Sequence, residues 1–128
     1  MTVTQLTITV PVPQWISSNG REHFHERARR SRAIKAAATW MARSARAEAF
    51  TVPVEVVAVV HRRPGPSRRR DAHNLAPTVK AALDGIVLAG VIPDDSDEWV
   101  RSLTIVPGPD RPRDELELLV APAQERAS

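Results

Sequence analysis

The sequence predicts a single α+β domain, with a mixed four-stranded sheet and two helices on one face, in the order β-α-β-α-β-β. Four short segments rich in Val, Ile, Leu and Thr have the length and alternation of strands. Two segments carry apolar residues at helical spacing. The length of 128 residues is typical of one domain. We expect the domain to cover residues 1–122 and residues 123–128 to form a disordered tail.

The four predicted strands cover residues 3–10, 51–60, 100–106 and 115–121. The first alternates with period two and should be half-buried. Pro53 lacks a backbone donor, so it favours either an edge position or the first residues of the second strand. The last two strands are separated by the turn PGPDRPRD, and we expect them to pair as a hairpin.

The first predicted helix spans residues 26–49 and the second spans residues 77–88. Trp40 falls on the predicted apolar side of the first helix, and we expect it in the core. Pro77 suits the first turn of the second helix, where its missing N–H costs nothing, and Gly90 should end that helix. The residues expected to face inward are Ala33, Ala37, Met41 and Ala45 in the first helix, and Val79, Leu83, Ile86 and Val87 in the second.

Composition excludes several classes of protein and site. The chain has no cysteine, which excludes disulfides, thiolate zinc sites and thiol nucleophiles. No apolar run approaches the roughly 18 residues that a membrane span requires. We therefore expect no membrane partner. The start of the chain carries no basic segment and alternates like a strand, so we expect no signal peptide. The absence of cysteine is compatible with the cytoplasmic location that we expect.

The basic residues are clustered although the net charge is only +3. Sixteen of the eighteen are arginine, and they concentrate at 27–32 and 62–70. Arginine binds phosphate through a planar, bidentate fork. A charge run is often a solvated face, but the second cluster also fits nucleic-acid phosphates. The candidate phosphate contacts are Arg62, Arg63, Arg68, Arg69 and Arg70, and neutralising about five phosphates should give a salt slope near −4 to −5.

Acidic and basic residues alternate between Arg68 and Val100, in RRRDAHNLAPTVKAALDGIVLAGVIPDDSDEWV. Asp71 follows the arginines, the second helix carries Lys80 and Asp84, and Asp94-Asp95 follows a Gly-Val-Ile-Pro turn. Carboxylates hold Mg²⁺ and cations hold phosphate, so this stretch favours a magnesium-dependent phosphodiester site.

The same stretch resembles the RusA-type Holliday-junction resolvases. That family has basic residues, Asp-x-Asp-Asn, a Lys, a helical Asp, Ala-Gly and an Asp-Asp pair. The spacing from Lys80 through Ala89-Gly90 to Asp94-Asp95 matches, as does Lys80-x-x-x-Asp84. The resemblance covers about a quarter of the chain. It implies a RusA-like fold and a homodimeric endonuclease that hydrolyses phosphodiesters at four-way DNA junctions with Mg²⁺, or Mn²⁺ as the alternative.

The chain departs from the family pattern in two places. His73 stands where the family has its second aspartate, in Asp71-Ala72-His73-Asn74. Three extra residues also separate Asn74 from Lys80. An ungapped alignment would leave that half of the site without a carboxylate, whereas a gap before Pro77 retains Asp71 and Asn74, so we prefer the gapped alignment.

On this basis Asp71 and Asp95 are the first candidate metal ligands, followed by Asp94 and by His73, whose imidazole suits Mn²⁺ or Zn²⁺ better than Mg²⁺. Consecutive side chains of an extended segment point in opposite directions, so Asp94 and Asp95 should rarely bind one ion together. Together with Lys80, Asp71 and Asp95 are the predicted catalytic residues.

Lys80 could stabilise charge on the phosphate, or could be a surface lysine paired with Asp84 at i,i+4. Asp84 should hold Lys80 in position, and Asn74 should contact DNA. Trp15 could stack on a base or contact the dimer partner. His23 and His25, which flank Phe24, should contact DNA or the partner. A four-way junction has approximate two-fold symmetry, which favours a homodimer.

Two other functions stay open at the level of sequence. The chain could bind branched DNA with weak or no cleavage, because His73 replaces a family carboxylate. It could also be an unrelated metal-dependent nuclease or phosphatase with small substrates. Cleavage assays with four-way junctions, linear duplexes and nucleotides would discriminate among these functions.

Overall fold

A computed structural model describes residues 5–65 and 72–124. The described residues form four strands, two α-helices and one short 3₁₀ helix. The strands are β1 (Leu6–Pro11), β2 (Val54–His61), β3 (Val100–Pro107) and β4 (Glu115–Pro122). The helices are α1 (Phe24–Ser44) and α2 (Ala76–Leu88), and the 3₁₀ helix Ala72–Leu75 leads directly into α2. The predicted α+β class, element order and mixed four-stranded sheet are confirmed.

The sheet has the strand order β1-β4-β2-β3. Strand β4 is antiparallel to both β1 and β2, while β3 is parallel to β2 and occupies an edge. Strand β1 is therefore parallel to β2, with β4 inserted between them. Along the inner strands buried and less buried residues alternate, as expected when helices cover one face only.

The expected hairpin between the last two strands is wrong, because β2 lies between β3 and β4. The connection from β3 to β4 instead crosses the end of β2, where the N–H of Gly108 donates to the Val60 carbonyl and that of Arg111 to the Arg62 carbonyl. A Cβ on Gly108 would lie 2.5 Å from Val59 Cγ1, so glycine permits this close crossing. Strand β2 is rich in valine and free of proline, which suits a central position.

Pro53 and Pro77 lie where a backbone N–H is not needed for a hydrogen bond. Pro53 precedes β2, so it lies at the start of the strand rather than within an edge strand, and its carbonyl accepts the N–H of Ala123. Pro77 lies in the first turn of α2 as predicted. The expected disordered tail falls partly on residues 125–128, outside the described residues.

Helix α1 packs on α2 at a point where both backbones approach closely. The Thr39 hydroxyl donates to the Gly85 carbonyl at 2.9 Å. A Cβ on Gly85 would lie 2.5 Å from the Lys35 carbonyl oxygen and 2.7 Å from Ala38 Cβ. Close packing of the helices therefore requires glycine at position 85.

The apolar side of α1 is rotated by about one residue from the predicted side. The buried residues are Ile34, Ala38, Thr39 and Ala42. Trp40 is 69% exposed, so its expected place in the core is wrong. Alanines occur on several sides of this helix, so the sequence does not define clearly which side is apolar and faces the core. The inward side of α2 was predicted correctly for Val79, Leu83 and Ile86, which are buried, while Val87 is half-buried.

Both helices end in the same backbone motif. In α2 the N–H of Val91 donates to the Ile86 carbonyl, and Gly90, at φ 87°, occupies the left-handed position that favours glycine. In α1 the N–H of Ala47 donates to the Ala42 carbonyl, and the left-handed position is filled by Arg46 at φ 52°. Gly90 was predicted to end α2, whereas α1 ends five residues before its predicted limit without a glycine to mark the end.

Across residues 5–65 and 72–124, no helix is long and apolar enough to cross a membrane.

Candidate functional site

Lys80 lies between two carboxylates on the surface. Its ammonium is 3.2 Å from Asp84 Oδ1, one helical turn away, and it also contacts Asp95 Oδ2, which belongs to the loop after α2. The exposed fractions of the side chains are 56% for Lys80, 41% for Asp84 and 30% for Asp95. Two of the predicted catalytic residues are therefore in contact, and Asp84 touches Lys80 as predicted.

The packing of α2 and of the following loop explains this contact. Most of α2 is buried, which leaves Lys80, Asp84 and Leu88 on its less buried strip. After the helix ends, Val91 and Ile92 are fully buried and fix the beginning of the loop. The N–H of Phe50 donates to the Val91 carbonyl, and a turn at Ser96 accepts the N–H groups of Trp99 and Val100. The chain between these anchors carries Asp95 back along α2 to Lys80.

Asp94 and Asp95 differ in their surroundings. The Asp94 carboxylate accepts the N–H of Asp95 at 2.8 Å, so one of its oxygens is held by the local backbone. The Asp95 carboxylate faces Lys80. The two neighbouring carboxylates therefore have different partners, the backbone for Asp94 and the Lys80 ammonium for Asp95.

The donor atoms of this cluster suit a hard cation such as Mg²⁺, which prefers oxygen ligands and uses one or two carboxylates. Asp84 and Asp95 supply carboxylate oxygens beside Lys80. Within the described part of the chain, no three His, Cys, Asp or Glu side chains are grouped closely enough to hold a metal ion. Asp71, the other predicted ligand, lies outside the described residues.

The 3₁₀ helix places the residues that follow Asp71. It packs against both α2 and β3, and β3 begins five residues after Asp95. Ala72 and Leu75 are buried, whereas His73 is exposed and Asn74 is half-buried. Residues 72–75 and the strand that follows Asp95 are therefore neighbours in the fold.

The predicted phosphate contacts are only partly described. Arg68, Arg69 and Arg70 lie outside the described residues. Arg63 is exposed, but its guanidinium lies 3.6 Å from Asp114, whose carboxylate also accepts the Arg63 N–H. The Arg62 carbonyl accepts the N–H of Arg111, so the backbone at the end of β2 is held by the β3–β4 connection.

A second charged cluster at this end of the sheet was not predicted. The buried ring of His61 contacts the Pro109 carbonyl through Nδ1 at 2.9 Å and Glu117 through Nε2 at 3.0 Å. Arg111 contacts Glu115 and Glu117. These contacts join β2, β4 and the β3–β4 connection. The residues are far apart in the sequence, so the sequence alone did not indicate that they would meet.

The loop before α1 is attached to the start of α2, which the sequence did not indicate either. The buried Thr78 hydroxyl accepts the Ile16 N–H at 2.7 Å and donates to the Ile16 carbonyl at 2.9 Å. The N–H of Ser18 donates to the Asn74 carbonyl at 2.7 Å. Residues 16–18 therefore lie beside the 3₁₀ helix and the first turn of α2. Thr78, which binds Ile16, is two residues before Lys80 in the sequence.

The start of α1 carries a network of arginines and glutamates. Glu26 contacts Arg29 at 2.6 Å and Arg30 at 2.9 Å. Hydrogen bonds from Arg29 and then from Arg30 lower the pKa of Glu26 to about 2. Glu22 contacts Arg27 at 3.0 Å, and hydrogen bonding to its own backbone, followed by its arginine neighbours, lowers its pKa.

Comparison with known proteins does not identify a family for this chain. The chain matches no protein-family model and no curated protein.

Proposed function

We propose that the chain is a metal-dependent endonuclease that cleaves phosphodiesters at four-way DNA junctions in recombination and repair, and that it is related to the RusA-type resolvases. The observation that carries the proposal is the contact of Lys80 with both Asp84 and Asp95 on an open surface. A lysine and carboxylates on neighbouring elements are the groups that this chemistry requires. The match in residue order between Lys80 and Asp95 supports the same assignment.

In this proposal Asp95 and Asp71 hold the divalent cation, with Asp94 or His73 as further candidates. The bound cation would polarise the scissile phosphate and lower the pKa of an attacking water. Lys80 donates hydrogen bonds to a phosphate oxygen and stabilises the charge that develops there. Asp84 keeps the ammonium in place, because residues four apart lie on the same side of a helix. The 3₁₀ helix, which follows Asp71 in the sequence, packs against α2, the helix that carries Lys80.

The DNA strands would pass over the arginine-rich segment 62–70 and over Asn74. A homodimer would present two such sites related by a two-fold axis, which matches the approximate symmetry of a four-way junction. Paired cuts then follow from one kind of site acting twice.

A second candidate function is binding of branched DNA with little or no cleavage. It is favoured by the position of the Lys80 ammonium, which already neutralises Asp84 and Asp95. A divalent cation at Asp95 must share that carboxylate with Lys80 or displace it. His73 in place of a family aspartate favours the same alternative.

One experiment tests the proposal against both alternatives. The purified protein is incubated with a synthetic four-way junction, with a linear duplex of the same sequence and with a nucleotide phosphate ester, in Mg²⁺, in Mn²⁺ and in EDTA. The endonuclease should give paired, metal-dependent nicks in the junction and little product from the other substrates.

The outcomes separate the candidate functions. Retention of the junction without products in either metal would favour the binding protein. Equal cleavage of the linear duplex or hydrolysis of the nucleotide ester would favour a nuclease or phosphatase of a different class. Cleavage that persists in EDTA would contradict the metal-dependent reaction.

A further inference from the structure

We infer that Phe24, together with His23 and His25, forms a stacking surface for an unpaired nucleobase. The side chain of Phe24 is 65% exposed at the first residue of α1. Its ring centroid lies 4.3 Å from that of His23 and 4.0 Å from that of His25, while the two histidine rings are stacked at 4.9 Å. Three consecutive rings therefore form one aromatic cluster, in which Phe24 is highly exposed.

Hydrogen bonds at the start of α1 hold the His23 ring and the backbone that carries the other two rings. His23 is the N-cap of the helix, and its Nδ1 accepts the N–H of His25 at 3.2 Å. The carbonyl of His23 accepts the N–H groups of Glu26 and Arg27. A rigid aromatic surface loses little conformational entropy when a ligand binds, so exposure at this position is suited to binding.

The charge around the rings identifies the class of ligand. Between residues 21 and 32 the chain has five arginines and two glutamates. Glu22 and Glu26 pair with Arg27, Arg29 and Arg30, which leaves an excess of positive charge. Arg21 and Arg32 are exposed, and Arg29 retains 54% exposure of its side chain. Aromatic faces beside arginines bind single-stranded nucleic acid, because the bases stack and the cations contact the phosphates.

The position of the rings connects this surface to the Lys80 site. The Arg27 guanidinium donates to the Ser17 carbonyl at 2.9 Å, and the next residue, Ser18, donates to the Asn74 carbonyl. Ile16 is bound to Thr78, which lies two residues before Lys80. The aromatic surface and the start of α2 therefore belong to one connected part of the fold.

This inference deepens the proposed function, because it names a base, unpaired where the junction opens at its branch point, that the protein would hold beside the cleaved strand. Base stacking does not require cleavage. It can therefore be measured in EDTA and judged separately from the nuclease assignment.

The test measures the binding of a fluorescent oligothymidylate of about ten nucleotides, a length within the usual site size for single strands. The same sugar–phosphate backbone without bases serves as the second ligand. The variants are Phe24→Ala, Phe24→Trp and Trp40→Ala. Trp40 is the matched control, because it is an exposed aromatic residue on the same helix, about 24 Å along its axis.

Phe24→Ala should weaken binding of the oligothymidylate roughly tenfold, the loss expected for one stacked base, and should not change binding of the abasic backbone. Phe24→Trp should bind at least as well as the wild type, and Trp40→Ala should bind as the wild type does. Thermal melting of each variant establishes that the fold is intact.

Three outcomes would overturn the inference. The first is unchanged binding of the oligothymidylate by Phe24→Ala. The second is equal weakening for both ligands, which would indicate a loss of charge or fold. The third is a change in oligomeric state in Phe24→Ala, which would assign the rings to a protein interface. If Phe24→Ala behaves as expected while the wild type cuts no junction, the stacking surface stands and the nuclease proposal fails.

Discussion

The Lys80 ammonium contacts the Asp95 carboxylate across the gap between helix α2 and the loop that follows it. This contact joins two residues that are fifteen positions apart in the sequence. Asp84 touches the same ammonium from within the helix. A metal ion bound to Asp95, as the proposed function requires, would therefore lie next to the Lys80 ammonium.

Lys80→Gln should therefore strengthen metal binding while it weakens cleavage. Two unit charges about 4 Å apart interact by roughly 1 kcal/mol in water, and a divalent ion doubles this, so loss of the ammonium should improve the Kd for Mn²⁺ by up to roughly thirtyfold. Cleavage of the junction should fall roughly 100-fold, as for loss of other groups that stabilise transition-state charge. Titration of Mn²⁺ by electron paramagnetic resonance measures the first effect.

Lys35→Gln is the matched control, because Lys35 is the other lysine of the chain and is exposed on α1. It should change neither metal binding nor cleavage. Unchanged or weaker Mn²⁺ binding in Lys80→Gln would contradict the placement of the metal beside this ammonium.

Gly85→Ala should destabilise the fold by about 1–3 kcal/mol, the usual cost of an overpacked core. The added Cβ would lie 2.5 Å from the Lys35 carbonyl oxygen, so α1 and α2 would have to separate. Urea denaturation measures the change. Gly65→Ala is the control, since nothing lies within 4 Å of a Cβ at that position. Equal stability of both variants would show that the helices do not approach each other so closely.

Arg46→Gly should stabilise the protein by about 0.5–1 kcal/mol, because glycine adopts the left-handed conformation without the steric cost borne by arginine. Arg46 has φ 52° at the end of α1. Arg43→Gly, inside the last turn of the same helix, should have the opposite effect. Thermal melting compares the two, and a destabilised Arg46→Gly would refute this description of the helix end.

Glu26→Gln should lower the melting temperature at neutral pH and have less effect in acid. Hydrogen bonds from Arg29 and Arg30 lower the pKa of Glu26 from 4.5 to about 2. The ionised carboxylate therefore stabilises the fold above pH 4.5, and this contribution is lost as the pH falls through about 2. Melting curves between pH 2 and pH 7 should show the difference in melting temperature between variant and wild type becoming smaller as the pH falls.

Glu48→Gln, which changes an exposed glutamate beyond the end of α1, supplies the control for that series. For this variant, the difference in melting temperature from the wild type should not become smaller as the pH falls. A constant difference between Glu26→Gln and the wild type over the whole range would contradict the lowered pKa of Glu26.

The sequence was sufficient to predict which segments become strands and helices, because the alternation of apolar and polar residues and the positions of prolines determine local backbone structure. Gly90 marked the end of α2 for the same reason. The neighbours of β4 were not predictable in this way: turn composition suggested a hairpin, whereas Gly108 allows the connection to cross β2. The exposed position of Trp40 was missed because alanines on several sides of α1 conceal its buried face.

The candidate site was predictable in part. The spacing of Lys80 and Asp84 follows from helical geometry, and their contact was weighed from the sequence. The return of Asp95 to Lys80 depends on the burial of Val91 and Ile92, which is a property of the whole core. The attachment of Ile16 to Thr78 joins residues 62 positions apart and has no local signature.

The most direct measurement of the central claim is single-turnover cleavage of a fully bound four-way junction in Mg²⁺ by Asp95→Asn. The variant keeps the shape of the side chain but removes its charge. We predict that the cleavage rate falls at least roughly 100-fold while Kd for the junction is unchanged, and that Asp97→Asn, in the same loop, cleaves as the wild type does. Cleavage at the wild-type rate by Asp95→Asn would contradict the assignment of this cluster as the nuclease site.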